Sequence, residues 1–184
     1  PSNPTLVDHS LNWFDAVDGM KVPYDDNKHG THTMGTIVGA EPNGSNQIGV
    51  APGAKWIAVK AFNHLGGSTD ADLLEAGEWI LAPKDSDGNP HPELAPDIVN
   101  NSWGGGGYSQ ALVNAIERAK DNGILFITAA GNGGYDNDSS PSYPSSYPNE
   151  NIISVAALNP DGTMASYSQY GLTSVDIGAP GTQI

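Results

Sequence analysis

The chain has 184 residues, enough for one domain with a buried core, and its lack of cysteine excludes disulfide bonds, zinc–thiolate sites and a cysteine nucleophile. Seven basic and 21 acidic side chains give a net charge of −14, so neither nucleic acid nor an anionic membrane is an expected partner. No apolar run approaches the roughly 20 residues that cross a bilayer. The acidic residues either form a hydrated surface or, where carboxylates cluster, hold calcium through oxygen ligands.

The first half of the chain predicts two helices and a strand. His29–Val38 carries apolar residues at helical spacing, and Trp56–Val59 is a compact apolar run that predicts a buried strand. Thr69 and Asp72 match a capping box, and the helical pattern that follows them continues to Leu81. A strand and a capped helix in this order are typical of an α/β fold.

The second half continues the alternation. Ile98-Val99 and Ile124–Ile127 are apolar throughout, Ile152–Ala156 is apolar except for Ser154, and these segments predict three more strands. Between the first two, Ser109 is predicted to cap an amphipathic helix that ends at Gly123. Apolar strands separated by amphipathic helices predict a parallel sheet that is covered on both faces.

Ligands of such sheets bind beyond the carboxyl ends of the strands. Two segments follow strands directly and are therefore candidate site segments: Asn100–Gly104 and Ala129–Gly133. Two other segments, Lys84–Pro96 and Gly133–Asn149, are polar and rich in proline, and they predict loops.

The strongest local signal is the run His29-Gly30-Thr31-His32. Two histidines three residues apart share a helix face and could bind a metal, which would make the protein a metal-dependent hydrolase centred on His29 and His32. A zincin-like site would need histidines four apart with a glutamate between them, and no such glutamate is present. A further reading is that both histidines simply pack at the start of a helix.

The two candidate segments also have more than one reading. Asn132 lies in Gly-Asn-Gly-Gly, a common turn composition, or else its amide serves a site. Gly104 allows the close approach of another main chain. Trp103 is either a buried support for the end of the strand or part of a site.

Seven motifs together, in this order along the chain, resemble the subtilisin family of serine peptidases over essentially all of the sequence. They are H-G-T-H (His29–His32), G-V-A-P (Gly49–Pro52), N-x-S-x-G (Asn100–Gly104), A-A-G-N (Ala129–Asn132), a double Y-P segment (Tyr143–Pro148), A-S-Y-S-x-Y-G (Ala165–Gly171) and A-P-G (Ala179–Gly181). The resemblance implies a three-layer α/β/α fold with a mainly parallel sheet.

The resemblance also implies roles for individual residues. His29 matches the general base and acid, a role that suits a histidine because its ordinary pKa lies near 6.5. Asn132 matches the side-chain donor of the oxyanion hole. Ser102, Trp103 and Gly104 match the strip on which the substrate backbone lies as an added strand. Where Trp103 stands, the family usually has a smaller apolar residue, so Trp103 is expected to narrow or reshape the neighbouring subsites.

Two of the family's catalytic motifs do not occur between residues 1 and 184. The resemblance implies that the D-[ST]-G aspartate lies a few tens of residues before His29, so it is expected before residue 1. Asp8, Asp15 and Asp18 lack its strand-then-glycine context and are not assigned this role. The serine nucleophile of G-T-S-x-A is expected after residue 184. Residues 1–184 are therefore interpreted as a partial catalytic domain, cut at both ends and inactive alone. A non-catalytic protein that holds peptides without cutting them is the alternative.

Further expectations come from the same resemblance. The protein is expected to be a secreted, extracellular, monomeric endopeptidase that acts on protein or peptide substrates through an acyl-enzyme. The chemistry requires no cofactor, and structural calcium is plausible. The family's calcium loop is not recognisable in Pro42–Ile48, however, so no metal ligand is assigned.

Overall fold

The computed structural model describes residues 9–40 and 48–184, which belong to two compact units, residues 1–96 and 97–184. Within these residues, no helix combines the length and apolar composition that a membrane crossing requires. Unit 1 contains β1 (Trp13–Asp15), α1 (His29–Val38), β2 (Ala58–Lys60) and α2 (Asp70–Leu81), with short 3-10 helices at His9–Leu11 and Pro92–Leu94.

Within the described residues of unit 1, β1 and β2 pair in parallel, with Trp13 opposite Ala58 and Asp15 opposite Lys60. The predicted strand Trp56–Val59 thus begins two residues late, because pairing starts where the Ala58 amide donates to the Asn12 carbonyl. The strand β1 was not predicted, since three residues are too few for an alternating pattern to show.

Both helices of unit 1 occupy the predicted ranges. α1 runs from His29 to Val38. α2 starts after Thr69 with the predicted capping box, in which the Thr69 hydroxyl accepts from the Asp72 amide and the Asp72 carboxylate accepts from the Thr69 amide. α2 buries Trp79, whose ring stacks on Phe14 of β1 at a centroid distance of 5.5 Å. This aromatic pair joins the helix to the sheet.

Unit 2 is a parallel four-stranded sheet with one helix, and its strands lie in chain order. Its elements are β3 (Ile98–Asn101), α3 (Gln110–Asp121), β4 (Leu125–Ala129), β5 (Ile152–Leu158) and β6 (Ile177–Pro180). The parallel arrangement confirms the predicted α/β class. The strand β6 escaped prediction because its sequence, Ile-Gly-Ala-Pro, contains two residues that disfavour strands.

The two faces of this sheet differ. Thr128, Ser154 and Ala156 point to one face and are buried, and α3, which contacts β4, buries Leu112, Ile116 and Ala119. Strand register places Ile98, Leu125 and Ile177 on the other face, and all three are exposed. The sequence predicted cover on both faces of one sheet, whereas the described strands form two sheets and one face of the larger sheet carries exposed apolar side chains.

The start of α3 differs in detail from the prediction. Ser109 is the N-cap residue, but its side chain makes no capping hydrogen bond. Its backbone amide instead donates to the Tyr147 hydroxyl over 3.1 Å. The predicted end is confirmed, because Gly123 has φ +77°, a conformation that stops a helix and that glycine adopts without strain.

Candidate active site

The loop before α1 sets the position of His29, the first residue of that helix. Asp25 accepts hydrogen bonds through both carboxylate oxygens. Oδ2 accepts from the amide and hydroxyl of Thr31 at 2.8 and 2.7 Å, and Oδ1 accepts from the amides of Lys28 and Asn27 at 2.7 and 3.1 Å. Lys28 stands at the N-cap with φ +73° and makes no side-chain cap. Asp25 therefore supplies the acceptor that the N-cap residue lacks.

The charge of Asp25 suits this place. A carboxylate near a helix N-terminus is stabilised by the helix dipole. Although burial opposes its ionisation, hydrogen bonds from the side chain and backbone of Thr31 and from the amides of Lys28 and Asn27 outweigh burial and lower the pKa of Asp25. The sequence showed Asp25 next to the H-G-T-H motif but contained no signal for its capping role, because it lies three residues before the N-cap.

A second set of contacts joins the same loop to the end of β2 and to the segment after it. The Asn27 amide group donates to the His64 carbonyl over 2.9 Å. The Lys60 ammonium group lies 3.3 Å from the Asp18 carboxylate and 5.0 Å from the centre of the Tyr24 ring. The Tyr24 hydroxyl donates to Asp18, and this bond raises the pKa of Tyr24 to about 12. The loop that precedes His29 is thus anchored at both ends.

His29 and His32 are both exposed on α1. Among residues 9–40 and 48–184, no group of three or more histidine, cysteine, aspartate or glutamate side chains is placed to hold a metal. His29 and His32 therefore have no third ligand of these types beside them within that part of the chain. The predicted calcium-loop position, Pro42–Ile48, lies outside the described residues except for Ile48.

In unit 2, the predicted substrate strip begins directly after β3. The Ser102 hydroxyl accepts from the side-chain amide of Asn100 over 2.9 Å. The Trp103 ring nitrogen donates to the carbonyl oxygen of the buried Asn101 side chain over 3.2 Å, which links the indole to the end of the strand. Ser102 and Trp103 are half-buried, while Gly104 is exposed. Trp103 thus supports the strand end and still presents surface to solvent.

Asn132 lies in the loop that follows β4, three residues beyond the strand end at Ala129. Its side chain is exposed. Asn101 of β3 stands opposite Thr128 of β4, so the strip Ser102–Gly104 and the Asn132 loop leave adjacent strands at the same edge of one sheet. The structure brings these two predicted segments together. His29 belongs to unit 1 and Asn132 to unit 2.

The residues that follow the strip contact the double Y-P segment. The Gly105 amide donates to the Tyr143 carbonyl over 3.1 Å, and Gly106 pairs with Tyr143 in an antiparallel bridge. A Cβ at Gly104 would lie 3.2 Å from the same carbonyl. This spacing favours glycine, because a Cβ there would require the Tyr143 carbonyl or the strip to shift by a few tenths of an ångström.

Two buried amide side chains, which the sequence did not single out, hold the Asn132 loop. Gln169 and Asn137 are 4% and 1% exposed. The Gly133 amide donates to Gln169 Oε1 at 3.1 Å, Gln169 Nε2 donates to Asn137 Oδ1 at 2.6 Å, and Asn137 Nδ2 donates to the Ala130 carbonyl at 2.9 Å. Gln169 lies inside the A-S-Y-S-x-Y-G motif at its variable position, so the motif carried no signal for this role.

Comparison with known proteins identifies relatives of the whole chain. The profile of the subtilase family matches residues 3–184. Bacillopeptidase F of Bacillus subtilis (strain 168) is 50% identical, over 100% of this chain and 13% of that protein. An extracellular basic protease of Dichelobacter nodosus is 38% identical, over 94% of this chain and 28% of that protein. The chain thus spans less than a third of the length of either curated relative.

A solved structure is similar as well. The crystal structure of a cold-adapted subtilisin-like serine proteinase superposes with a TM-score of 0.74 at 30% identity, covering 99% of this chain and 60% of that one. This likeness supports the α/β fold that the sequence predicted.

Proposed function

Because the chain belongs to the subtilase family of serine peptidases, we propose that it forms part of the catalytic domain of an endopeptidase that cleaves peptide bonds in protein substrates. The proposal takes the aspartate and the serine nucleophile of the triad from segments outside residues 1–184, since neither a D-[ST]-G nor a G-T-S motif occurs within them. Secretion is part of the proposal and is supported by the Dichelobacter relative, which is an extracellular protease.

His29 is the general base and then the general acid. A serine hydroxyl is a weak nucleophile until a base takes its proton. In the proposed first step the imidazole accepts that proton as the serine oxygen bonds to the scissile carbonyl carbon. The imidazolium then gives the proton to the amine nitrogen as the C–N bond breaks, which leaves an acyl-enzyme. Water repeats the sequence and releases the acid. The exposed position of His29 at the start of α1 leaves its ring accessible.

Asn132 is the side-chain donor to the oxyanion that forms in each step. A donor held in place before the reaction stabilises developing charge without reorganising. The exposed carboxamide on a loop whose backbone is hydrogen-bonded to buried side chains is consistent with that requirement.

The observation that carries the proposal is the register of β3 and β4. It brings the Ser102–Gly104 strip and Asn132 to one sheet edge. An extended peptide that pairs with the strip would pass beside the loop that carries the oxyanion donor. Trp103 would border the bound peptide, and we propose that its bulk restricts the side chains accepted there.

The test uses the protein encoded by the complete open reading frame that contains this chain. We expect it to hydrolyse a quenched fluorogenic peptide and to be labelled by a serine-directed fluorophosphonate. His29→Ala should reduce hydrolysis to background, whereas His64→Ala, the matched change of an exposed histidine in the same unit, should leave kcat/KM unchanged. Asn132→Ala should lower kcat by about 10²–10³, the magnitude known for the corresponding donor of subtilisin.

Two results would contradict the proposed peptidase function, and a third would remove one part of the proposal. Peptide binding without hydrolysis would identify a non-catalytic binding protein. Inhibition by a chelator but not by the fluorophosphonate would identify a metal-dependent hydrolase. An unchanged preference across a peptide library after Trp103→Leu would remove the role of Trp103 in specificity.

A further inference from the structure

The loop that carries Asn132 is held from behind by a chain of three hydrogen bonds. The chain starts at the Gly133 amide, passes through the side chains of Gln169 and Asn137, and ends at the Ala130 carbonyl. It therefore connects the backbone on one side of Asn132 to the backbone on the other. We propose that Gln169 is a positioning residue that orients the Asn132 carboxamide towards the oxyanion, an inference that rests on the proposed function.

The two ends of this chain determine the orientation of both amides. A backbone N–H can only donate, so the atom of Gln169 that faces Gly133 is its oxygen. A backbone carbonyl can only accept, so the atom of Asn137 that faces Ala130 is its nitrogen. The remaining Gln169 nitrogen then meets the remaining Asn137 oxygen at 2.6 Å. Every bond has a donor and an acceptor, and such a satisfied buried network favours one geometry over others.

The backbone of the loop shows the same close fit. Gly131 has φ +119°, and a Cβ there would lie 1.9 Å from Gln169 Oε1. The backbone N–H of Gln169 also donates to the Gly131 carbonyl over 3.0 Å. Gln169 thus contacts the loop at both neighbours of Asn132, while the Asn132 side chain itself stays exposed. Loss of the Gln169 side chain would remove the bond to Gly133 and keep only the backbone bond to Gly131. The Asn132 loop could then shift, although the substitution itself changes no reacting atom.

Catalysis is sensitive to shifts of this kind, because a displacement of about 1 Å can lower a rate by about 10². In the full-length enzyme, Gln169→Met keeps the length of the side chain and removes both of its hydrogen bonds. We expect it to lower kcat about ten- to a hundredfold and to change KM by less than about threefold.

A double-mutant cycle with Asn132→Ala separates positioning from general destabilisation. If Gln169 acts through Asn132, then Gln169→Met should lower kcat by less than about twofold in the Asn132→Ala background. The matched control is Asn151→Leu. Asn151 is also buried and donates to the carbonyls of Ile116 and Ile124, but it lies at the opposite edge of the sheet. The control should lower the midpoint of thermal unfolding, leave kcat within about twofold and add independently to Asn132→Ala.

Each outcome bears on a distinct step. If Asn132→Ala lowers kcat but the Gln169→Met effect is undiminished in that background, the positioning role is refuted while the role of Asn132 stands. If Asn132→Ala leaves kcat unchanged, the oxyanion assignment is wrong and the inference fails with it. Should Gln169→Met not fold, Gln169→Glu is taken through the same cycle, because it keeps the size and the acceptor for Gly133 and removes the donor to Asn137.

Discussion

Asp25 offers the sharpest test of how the start of α1 is built. Its carboxylate accepts from two donors at each oxygen. In Asp25→Asn one oxygen becomes an NH₂ group. If that group faces Thr31, the hydroxyl can turn to accept from it, but the Thr31 amide loses its acceptor. If it faces Lys28 and Asn27, both of their amides lose their acceptor. Loss of an N-terminal cap costs about 0.5–2 kcal/mol. Because Asp25 lies at the surface and water can replace part of the loss, we expect the free energy of unfolding at neutral pH to fall by about 1–2 kcal/mol.

The pH dependence gives a second observable. The pKa of Asp25 is lowered in the folded state, so its stabilisation is fully present above the unfolded pKa, near 3.9, and is lost as pH falls through the folded value. Urea unfolding of wild-type and variant full-length protein at a series of pH values should therefore show a difference that is constant at neutral pH and narrows below about pH 4. A difference that does not change with pH would refute the carboxylate's role.

Activity should respond as well, because His29 begins the helix that Asp25 caps. A change of 1–2 kcal/mol alters the ratio of ordered to disordered first turn by a factor of about 5–30, and this factor is the upper bound on the expected loss of kcat/KM. The control is Asp161→Asn in unit 2, where the carboxylate accepts from the amide and hydroxyl of Thr163 at 3.0 and 2.6 Å. Both bonds end at Oδ1, whose place the amide oxygen of Asn can take, so this variant removes a surface charge at a turn remote in sequence from α1. It should leave kcat/KM unchanged.

Two further predictions concern backbone strain and a surface histidine. Gly131→Ala should destabilise the full-length protein by about 1–3 kcal/mol and lower kcat, because it adds a strained φ and a clash with Gln169. The control is Gly162→Ala. Gly162 has φ +81° and open space around it, so this variant should show strain alone and an unchanged kcat. Hydrogen bonding, chiefly to Glu93, raises the pKa of His91. The stability that protonated His91 contributes is therefore present at acid pH and is lost as pH rises through the pKa of the folded state. An NMR titration should show the raised pKa of His91, and Glu93→Gln should bring it closer to the ordinary value.

Local signals were sufficient where a few neighbouring residues decide a conformation. The capping box of α2 depends on Thr69 and Asp72, which are three residues apart, and the structure contains it as predicted. The helix that starts at His29 and the left-handed Gly123 after α3 are of the same kind. The strands β4 and β5 were found because their apolar runs are long enough to show, and β3 was predicted from the pair Ile98-Val99 within the alternation of strands and helices. The family followed from motifs whose order along the chain is itself information.

Tertiary structure alone decided what depends on residues distant in sequence. Gln169 and Asn137 meet across 32 residues, and nothing near either one in sequence identifies its partner. The Ser109 amide reaches the Tyr147 hydroxyl across 38 residues, and β6 forms from a sequence that disfavours strands because β5 supplies its hydrogen bonds. Pairing partners of this kind depend on how strands and loops pack. Residues close together in the chain therefore determined the helices and identified the motif residues, whereas tertiary packing determined which groups hold the motif residues in place.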